Sequence, residues 1–184
     1  MRHFSACAVV LATAVMGVPA VSATGAAEHS CASASCEGVA AATPTITAAG
    51  VGGVRLGRTY LSLRRAGLLG TVRPGCELGG PRTRSALLRP PLRGSVDLTL
   101  GSPRRVASIS VGAGAAARGV GIGDRAAEIR AAFPRAGSRR SGGPLFNLDF
   151  VRVPRGGGGP LVFGIDSETN RVAIIGIPRI PICE

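Results

Sequence analysis

A repeat with a 66-residue offset is the feature of this sequence that most constrains its fold. Residues 53–57 read GVRLG, and residues 119–123 read GVGIG. At the same offset, residues 105–111 read RVASISV and residues 171–177 read RVAIIGI. Two separate blocks that share one offset indicate a duplicated unit, and duplicated units stack to bury a common core.

Each unit is expected to contain a short helix followed by antiparallel strands. Thr59 and Asp124 follow the glycine that ends each apolar block, and both residue types cap helices. Apolar and polar residues alternate over residues 96–100 and again over 146–150, as in half-buried strands. The sequence therefore predicts an α+β fold, with two tandem helix-plus-antiparallel-meander repeats forming a helix-backed sheet. Repeat 1 spans about 45–111 and repeat 2 about 112–184.

The first 23 residues are typical of a secretory signal peptide. A basic start precedes an apolar run at residues 6–18, and the small residues 21–23 (VSA) form a cleavage site. The run is shorter than the ~20 residues that span a bilayer, and no later segment predicts a transmembrane anchor. We expect cleavage after Ala23 and a secreted, extracytoplasmic product. Residues 24–44, rich in Ala, Ser and Thr, predict a flexible tail ahead of a domain at 45–184.

Four cysteines remain after cleavage: Cys31, Cys36, Cys76 and Cys183. An even number in an exported chain indicates two disulfide bonds. Three pairings are possible. We favour Cys31–Cys36, which closes a small loop in the tail, with Cys76–Cys183, which ties the C-terminus to the middle of the domain. Free thiol chemistry is the alternative, and the oxidising compartment argues against it.

The chain is arginine-rich: all 22 basic residues are arginine, against ten acidic residues. Such a balance attracts anionic partners. The arginines are nevertheless scattered, and a single tyrosine without tryptophan provides few platforms for base stacking. The lack of lysine beside abundant Ala, Gly and Pro also fits a GC-rich genome. We therefore expect no specific nucleic-acid partner, but weak attraction to acidic surfaces.

The block G-V-x-[LI]-G, followed by a capping residue, a short helix and a strand R-V-x-x-I, resembles a known repeat. It stands here at Gly53–Thr59 with Arg105–Ile109, and at Gly119–Asp124 with Arg171–Ile175. It resembles the unit of the secreted β-lactamase inhibitor proteins of actinobacteria and of the small outer-membrane assembly lipoproteins. The resemblance implies a helix-backed antiparallel sheet, which the inhibitors double and use to bind enzymes through an aromatic-rich concave face. Aromatic residues are few here, so no inhibitory residue is carried over.

The sequence provides little for catalysis or for metal binding. His29, the one histidine after cleavage, lies in the predicted tail, whereas a Ser-His-Asp or Cys-His site needs a histidine fixed beside a nucleophile. Cys31 and Cys36 lack the spacing of a zinc pair. We therefore expect no catalytic residue, no metal and no cofactor. A pair of carboxylates could still hydrolyse a glycosidic bond, and the candidates are Glu77, Asp97, Asp124, Glu128, Asp149, Asp166 and Glu168.

The sequence thus predicts a secreted, monomeric, non-catalytic binding protein for an extracellular protein or a cell-envelope component. The hypothesis places the contact on the solvent face of the sheet, at Asp97, Thr99, Asn147 and Asp149, because these polar residues alternate with apolar ones. Two alternatives stay open. One is a weak carboxylate-dependent hydrolase, and the other is electrostatic attachment of the arginines to acidic wall polymers.

Overall fold

The computed structural model describes residues 42–76, 82–142, 147–155 and 159–181, and strands dominate this part of the chain. In chain order the elements are β1 (Ile46–Thr47), β2 (Gly50–Val51), β3 (Val54–Arg55), α1 (Tyr60–Arg65), β4 (Leu69–Pro74), β5 (Arg84–Leu88), β6 (Arg93–Leu98), β7 (Val106–Ala113), β8 (Ala116–Ala117), β9 (Val120–Gly121), α2 (Ala126–Ala132), β10 (Arg140–Ser141), β11 (Leu148–Val153), β12 (Leu161–Asp166) and β13 (Val172–Ile177).

Eight strands form one antiparallel sheet in the order β10-β11-β12-β13-β7-β6-β5-β4. Two meanders of four strands therefore meet at β7 and β13, where Ile109 lies opposite Ile177 and Val111 lies opposite Ile175. The strands β1, β2 and β3 form a separate small sheet, and β8 pairs with β9. Each of these small units directly precedes a helix in the chain.

The predicted α+β class is wrong, because the described residues contain only two helices, of six and seven residues, beside the eight-stranded sheet. The fold is mostly β. Helix α1 ends at Arg65, just before Gly67, whose φ of +73° turns the chain. Helix α2 ends before Pro134, which cannot continue a helix. Helices this short cannot back eight strands, so the predicted helix-backed architecture of two repeats is not the one observed.

Matching contacts nevertheless occur at the 66-residue offset. The Nη1 atom of Arg105 donates to the Gly57 carbonyl at 2.9 Å, and that of Arg171 donates to the Gly123 carbonyl at 2.6 Å. The backbone N–H groups of the two glycines donate in turn to strands β7 and β13, both at 2.8 Å. In each case an arginine ties the loop before a helix to a central strand, which explains why these blocks of sequence match.

The hydrophobic core lies on one face of the sheet, beneath α1, α2 and the small strands. Phe163, Ile109 and Ile175 are fully buried there, and Ile129 of α2 joins them. The rings of Phe133 and Phe163 pack with their centroids 5.6 Å apart, which fixes the end of α2 against the sheet. Removing side chains of this size from water stabilises the fold by about 1.5–3 kcal/mol each.

The opposite face, called the outer face here, carries Ser95, Asp97, Ser110 and Ile174 and is partly covered by residues 178–181. Glycine makes this cover possible. A Cβ atom on Gly176 would lie 2.5 Å from the Arg179 carbonyl oxygen, and one on Gly164 would lie 3.2 Å from Cδ1 of Ile180. The C-terminal segment can therefore lie directly on the central strands, where a larger residue would displace it.

Several predictions fall on residues outside the described ranges. These are the signal peptide at 1–23, most of the tail at 24–44, and His29, Glu77, Cys31, Cys36 and Cys183. Cys76 is described and is disulfide-bonded. It borders the same cavity as Pro181, but its pairing with Cys183 stays a prediction. No helix among the described residues is long and apolar enough to cross a membrane.

Candidate functional site

The four residues predicted to form one binding face lie in more than one place. Asp97 points from β6 to the outer face, because its neighbours Val96 and Leu98 are buried in the core. Its Oδ2 atom accepts a hydrogen bond from Ser108 Oγ at 2.7 Å. Thr99 lies just beyond β6, is exposed, and accepts from the Arg105 backbone N–H at 2.9 Å.

Asp149 lies on the other side of the sheet, because it shares a face of β11 with the buried Val151. An ion pair joins its carboxylate to Arg139, which also donates to Asn170. Asn147 is exposed in the turn before β11, with a φ of +46°. The four residues therefore divide between two faces and do not form one continuous surface.

A one-residue error in phase explains this division. The alternation over residues 146–150 predicts that Phe150 is in the core, whereas the structure buries Val151 and Val153 and leaves Phe150 half-buried on the outer face. Because side chains alternate with a period of two, a shift of one residue exchanges the faces of the whole strand. The register of β11 with β12 fixes the phase, with Val151 opposite Phe163.

Five of the six described carboxylates that could support hydrolysis have local structural partners instead, and the sixth, Glu168, is exposed in a turn. Oδ2 of Asp124 accepts from the Gly121 backbone N–H at 2.7 Å, so it orders the β9 hairpin and does not cap α2 as predicted. Glu128 accepts from the backbone of Arg125 at 3.2 Å. Asp166 accepts from Thr169, and these bonds, the backbone one first, hold its pKa below the ordinary value. Among the described residues, no group of three or more His, Cys, Asp or Glu side chains could hold a metal.

A cavity of about 740 Å³ at the end of α2 is lined by several arginines that have no ion-pair partner among the described residues. It is lined by residues 45–48, 133–135 and 153–155 together with Arg118. Three of these residues are arginines, and none is acidic. We call this cavity the arginine cleft and define it by Phe133 and the arginines Arg118, Arg135 and Arg155.

Phe133 holds two of these arginines close together. The Cζ atoms of Arg118 and Arg155 each lie 5.4 Å from the centroid of its ring. A guanidinium at this distance is attracted to the ring's π electrons. The ring is itself buried against Phe163. A rigid aromatic platform therefore holds two like charges at one end of the cleft.

The backbone of Arg118 has an unusual conformation. It occupies the first position of the two-residue turn between β8 and β9, with a φ of +48°. The corresponding turn between β2 and β3 has Gly52, with a φ of +52°. The left-handed region costs a non-glycine residue roughly 1–2 kcal/mol. Arginine stands at this position although glycine fits the same turn without that cost.

No carboxylate in the described part of the chain neutralises the cleft. Arg118, Arg135 and Arg155 have no ion-pair partner among the described residues. Burial, and after it the charge of Arg118, lower the pKa of the Arg155 guanidinium below its ordinary value. A half-buried cation beside a like charge is unfavourable until an anion enters. Guanidinium groups bind carboxylates and phosphates through pairs of parallel hydrogen bonds, so the cleft is suited to such anions.

Sequence reasoning missed this cleft because its arginines are far apart in the chain. Each stands next to a loop residue: Arg118 before Gly119, Arg135 after Pro134, and Arg155 before a run of glycines. Loops are where a rigid scaffold presents binding groups. Their placement in loops was the sequence feature that could have indicated a site, but only the tertiary fold brings the three arginines near one phenylalanine.

Comparisons of the chain with protein-family models, with curated proteins and with solved structures found no match.

Proposed function

We propose that this chain is a secreted, non-catalytic binding protein that takes an anionic cell-envelope component in the arginine cleft. The observation that carries the proposal is the set of three arginines, two of them on one buried ring, without an acidic partner among the described residues. The formal net charge of +12 adds attraction at longer range. The extracytoplasmic location depends on the predicted signal peptide.

A polymer that carries phosphate or carboxylate groups suits the described surface better than a folded protein does. Protein interfaces depend on aromatic anchors at their centre. The large apolar side chains exposed among the described residues are leucines: Leu61, Leu87 and Leu100. Phe133 is buried and acts through the two guanidinium groups that it supports. The surface therefore has charge and hydrogen-bond donors to recognise a partner, but few apolar anchors.

The test compares two double variants that remove the same charge. Arg118→Gln with Arg155→Gln empties the cleft of its ring-supported cations, whereas Arg64→Gln with Arg65→Gln removes two exposed arginines from α1. Binding of inorganic polyphosphate and of polyglutamate is measured by calorimetry at 0.05 and 0.3 M salt. We expect the cleft variant to lose about tenfold or more in affinity, about 1.4 kcal/mol, and the α1 variant to bind like the parent protein.

The result that contradicts the proposal is equal loss in both double variants. Binding would then follow total charge, with a steep dependence on salt and no defined site. A charge-conserving variant, Arg118→Lys with Arg155→Lys, sharpens the comparison. Lysine keeps the charge but lacks the planar fork that forms paired hydrogen bonds, so we expect affinity between the parent protein and the glutamine variant.

A further inference from the structure

A second cavity, of about 370 Å³, opens on the outer face of the sheet and is floored by polar residues. Ser95 and Asp97 of β6 and Ser110 of β7 form the floor. Arg73 of β4 stands on one side, and Pro181 of the C-terminal segment on the other. The arginine cleft is lined by residues of the core side and shares none of these groups. The two cavities are therefore separate sites.

Ser110 is the residue in this cavity that most directly indicates a ligand. Its side chain is buried, with 5% of the residue exposed, and its Oγ atom has no hydrogen-bond partner among the described residues. A buried hydroxyl that lacks a hydrogen bond within the protein is unfavourable unless water or a ligand supplies one. A polar group brought by a ligand would restore that hydrogen bond.

The charged residues of the cavity also keep unused hydrogen-bonding groups. Asp97 employs Oδ2 to accept from Ser108, while Oδ1 has no partner among the described residues. Arg73 employs Nε to donate to Ser85 at 3.3 Å, and its two terminal nitrogens have no hydrogen bond within the described part of the chain. The cavity thus presents an acceptor at Asp97, donors at Arg73, and a hydroxyl at Ser110 that can act as either.

This combination selects against simple ions. Asp97 repels an anion and Arg73 repels a cation, whereas a hydroxyl group can donate to the carboxylate and accept from the guanidinium. Adjacent hydroxyls on a sugar ring satisfy both requirements at once. The volume lies within the range of natural small-molecule sites, about 300–1,000 Å³. We propose that this outer-face cavity binds an uncharged saccharide unit through its hydroxyl groups.

The test follows backbone amide resonances by NMR while glucose, N-acetylglucosamine or the β-1,4-linked dimer of either is added to millimolar concentration. We expect saturable shifts centred on Ser95, Asp97 and Ser110. Asp97→Asn is expected to weaken binding about tenfold or more. Ser110→Ala is expected to weaken binding without lowering the melting temperature, because the hydroxyl that it removes has no partner in the free protein. Ser167→Ala, at an exposed turn, is the matched control and should bind like the parent protein.

Three outcomes would overturn the proposal. Shifts absent with every saccharide would mean that the cavity contains only water. Shifts produced equally by inorganic phosphate or by glycine would mean that it selects ions or zwitterions. Saccharide shifts that persist unchanged in Asp97→Asn would place the ligand elsewhere. Because Arg118→Gln with Arg155→Gln is expected to retain saccharide binding, failure here can be distinguished from failure of the anion proposal.

Discussion

Replacing Arg118 by glutamine should lower the affinity for anions while it leaves the free energy of unfolding nearly unchanged. The Nη1 atom of Arg118 donates a long hydrogen bond of 3.4 Å to the Ala132 carbonyl, and the side chain also contributes two opposing electrostatic effects in the free protein. Its contact with the Phe133 ring is favourable, by about 0.5–1 kcal/mol at an exposed site. Its repulsion of Arg155 is unfavourable, and this repulsion contributes to lowering the pKa of that group.

The geometry bounds the repulsion. Both Cζ atoms lie 5.4 Å from one ring centroid, so the two charges are at most about 11 Å apart. Coulomb's law at this largest separation gives a lower limit of about 0.4 kcal/mol in a water-like dielectric and of about 1.5 kcal/mol at an effective dielectric of 20. The attraction and the repulsion are therefore of similar size and opposite sign. We therefore expect Arg118→Gln to change the free energy of unfolding by less than about 1 kcal/mol, while anion affinity falls about tenfold or more.

A double-mutant cycle over Arg118 and Arg155 measures the interaction directly. Urea unfolding of the parent protein, both single glutamine variants and the double variant gives four free energies of unfolding. Without an anion, the coupling should be repulsive, by about 0.4 kcal/mol or more. With saturating inorganic polyphosphate, it should become favourable, because the anion then bridges the two guanidinium groups.

Two results together would contradict this prediction. Arg118→Gln alone would lower the free energy of unfolding by more than about 2 kcal/mol, and the coupling between Arg118 and Arg155 would be favourable in the absence of anions. Such a result would make the two arginines structural supports of the Phe133 ring. Arg64→Gln serves as the control for nonspecific effects of charge, since that residue is exposed on α1.

Three further predictions concern the fold. Hydrogen bonds from Thr169 lower the pKa of Asp166. The contribution of Asp166 to stability is therefore present above the unfolded-state pKa of about 3.9 and is lost as pH falls through the lower folded-state pKa. In Asp166→Asn, the free energy of unfolding measured in urea should fall less between pH 5 and pH 2 than it does in the parent protein. Phe163→Ala should cost about 3–5 kcal/mol because the ring is fully buried, against less than about 0.5 kcal/mol for the exposed Leu61→Ala. Peptide mapping without reduction should link Cys76 to Cys183, and a link from Cys76 to either tail cysteine would contradict that pairing.

Local sequence patterns located part of the sheet. The alternation over residues 96–100 overlaps β6, which buries Val96 and Leu98, whereas Leu100 lies beyond that strand and is exposed. β4 was missed. Its pairing with β5 shifts register between Leu69 and Val72, and three of its six residues are exposed, so no clear alternation marks it. The predicted fold class was wrong because strands such as β4 join the sheet through pairing with distant strands, which no local sequence pattern shows.

The functional groups were harder to predict than the strands. The sequence indicates that Phe133 belongs to the core, and it is buried there. It does not indicate that Arg118 and Arg155, distant in the chain, both lie over that ring. The predicted binding face was wrong for another physical reason. The pairing of β11 with β12 determines which side chains of β11 point to each face of the sheet. In both cases, contacts between residues that are distant in the sequence determine the result.

The ends of the eight-stranded sheet bear on whether copies of this chain would associate. An open sheet exposes unpaired backbone groups along its outermost strands, and these recruit further strands from other molecules. One outermost strand, β4, carries Arg73 and Pro74, which oppose such growth through charge and through a missing N–H group. The other, β10, has only two residues, one of them Arg140. Part of the arginine excess therefore lies where it opposes sheet-to-sheet aggregation.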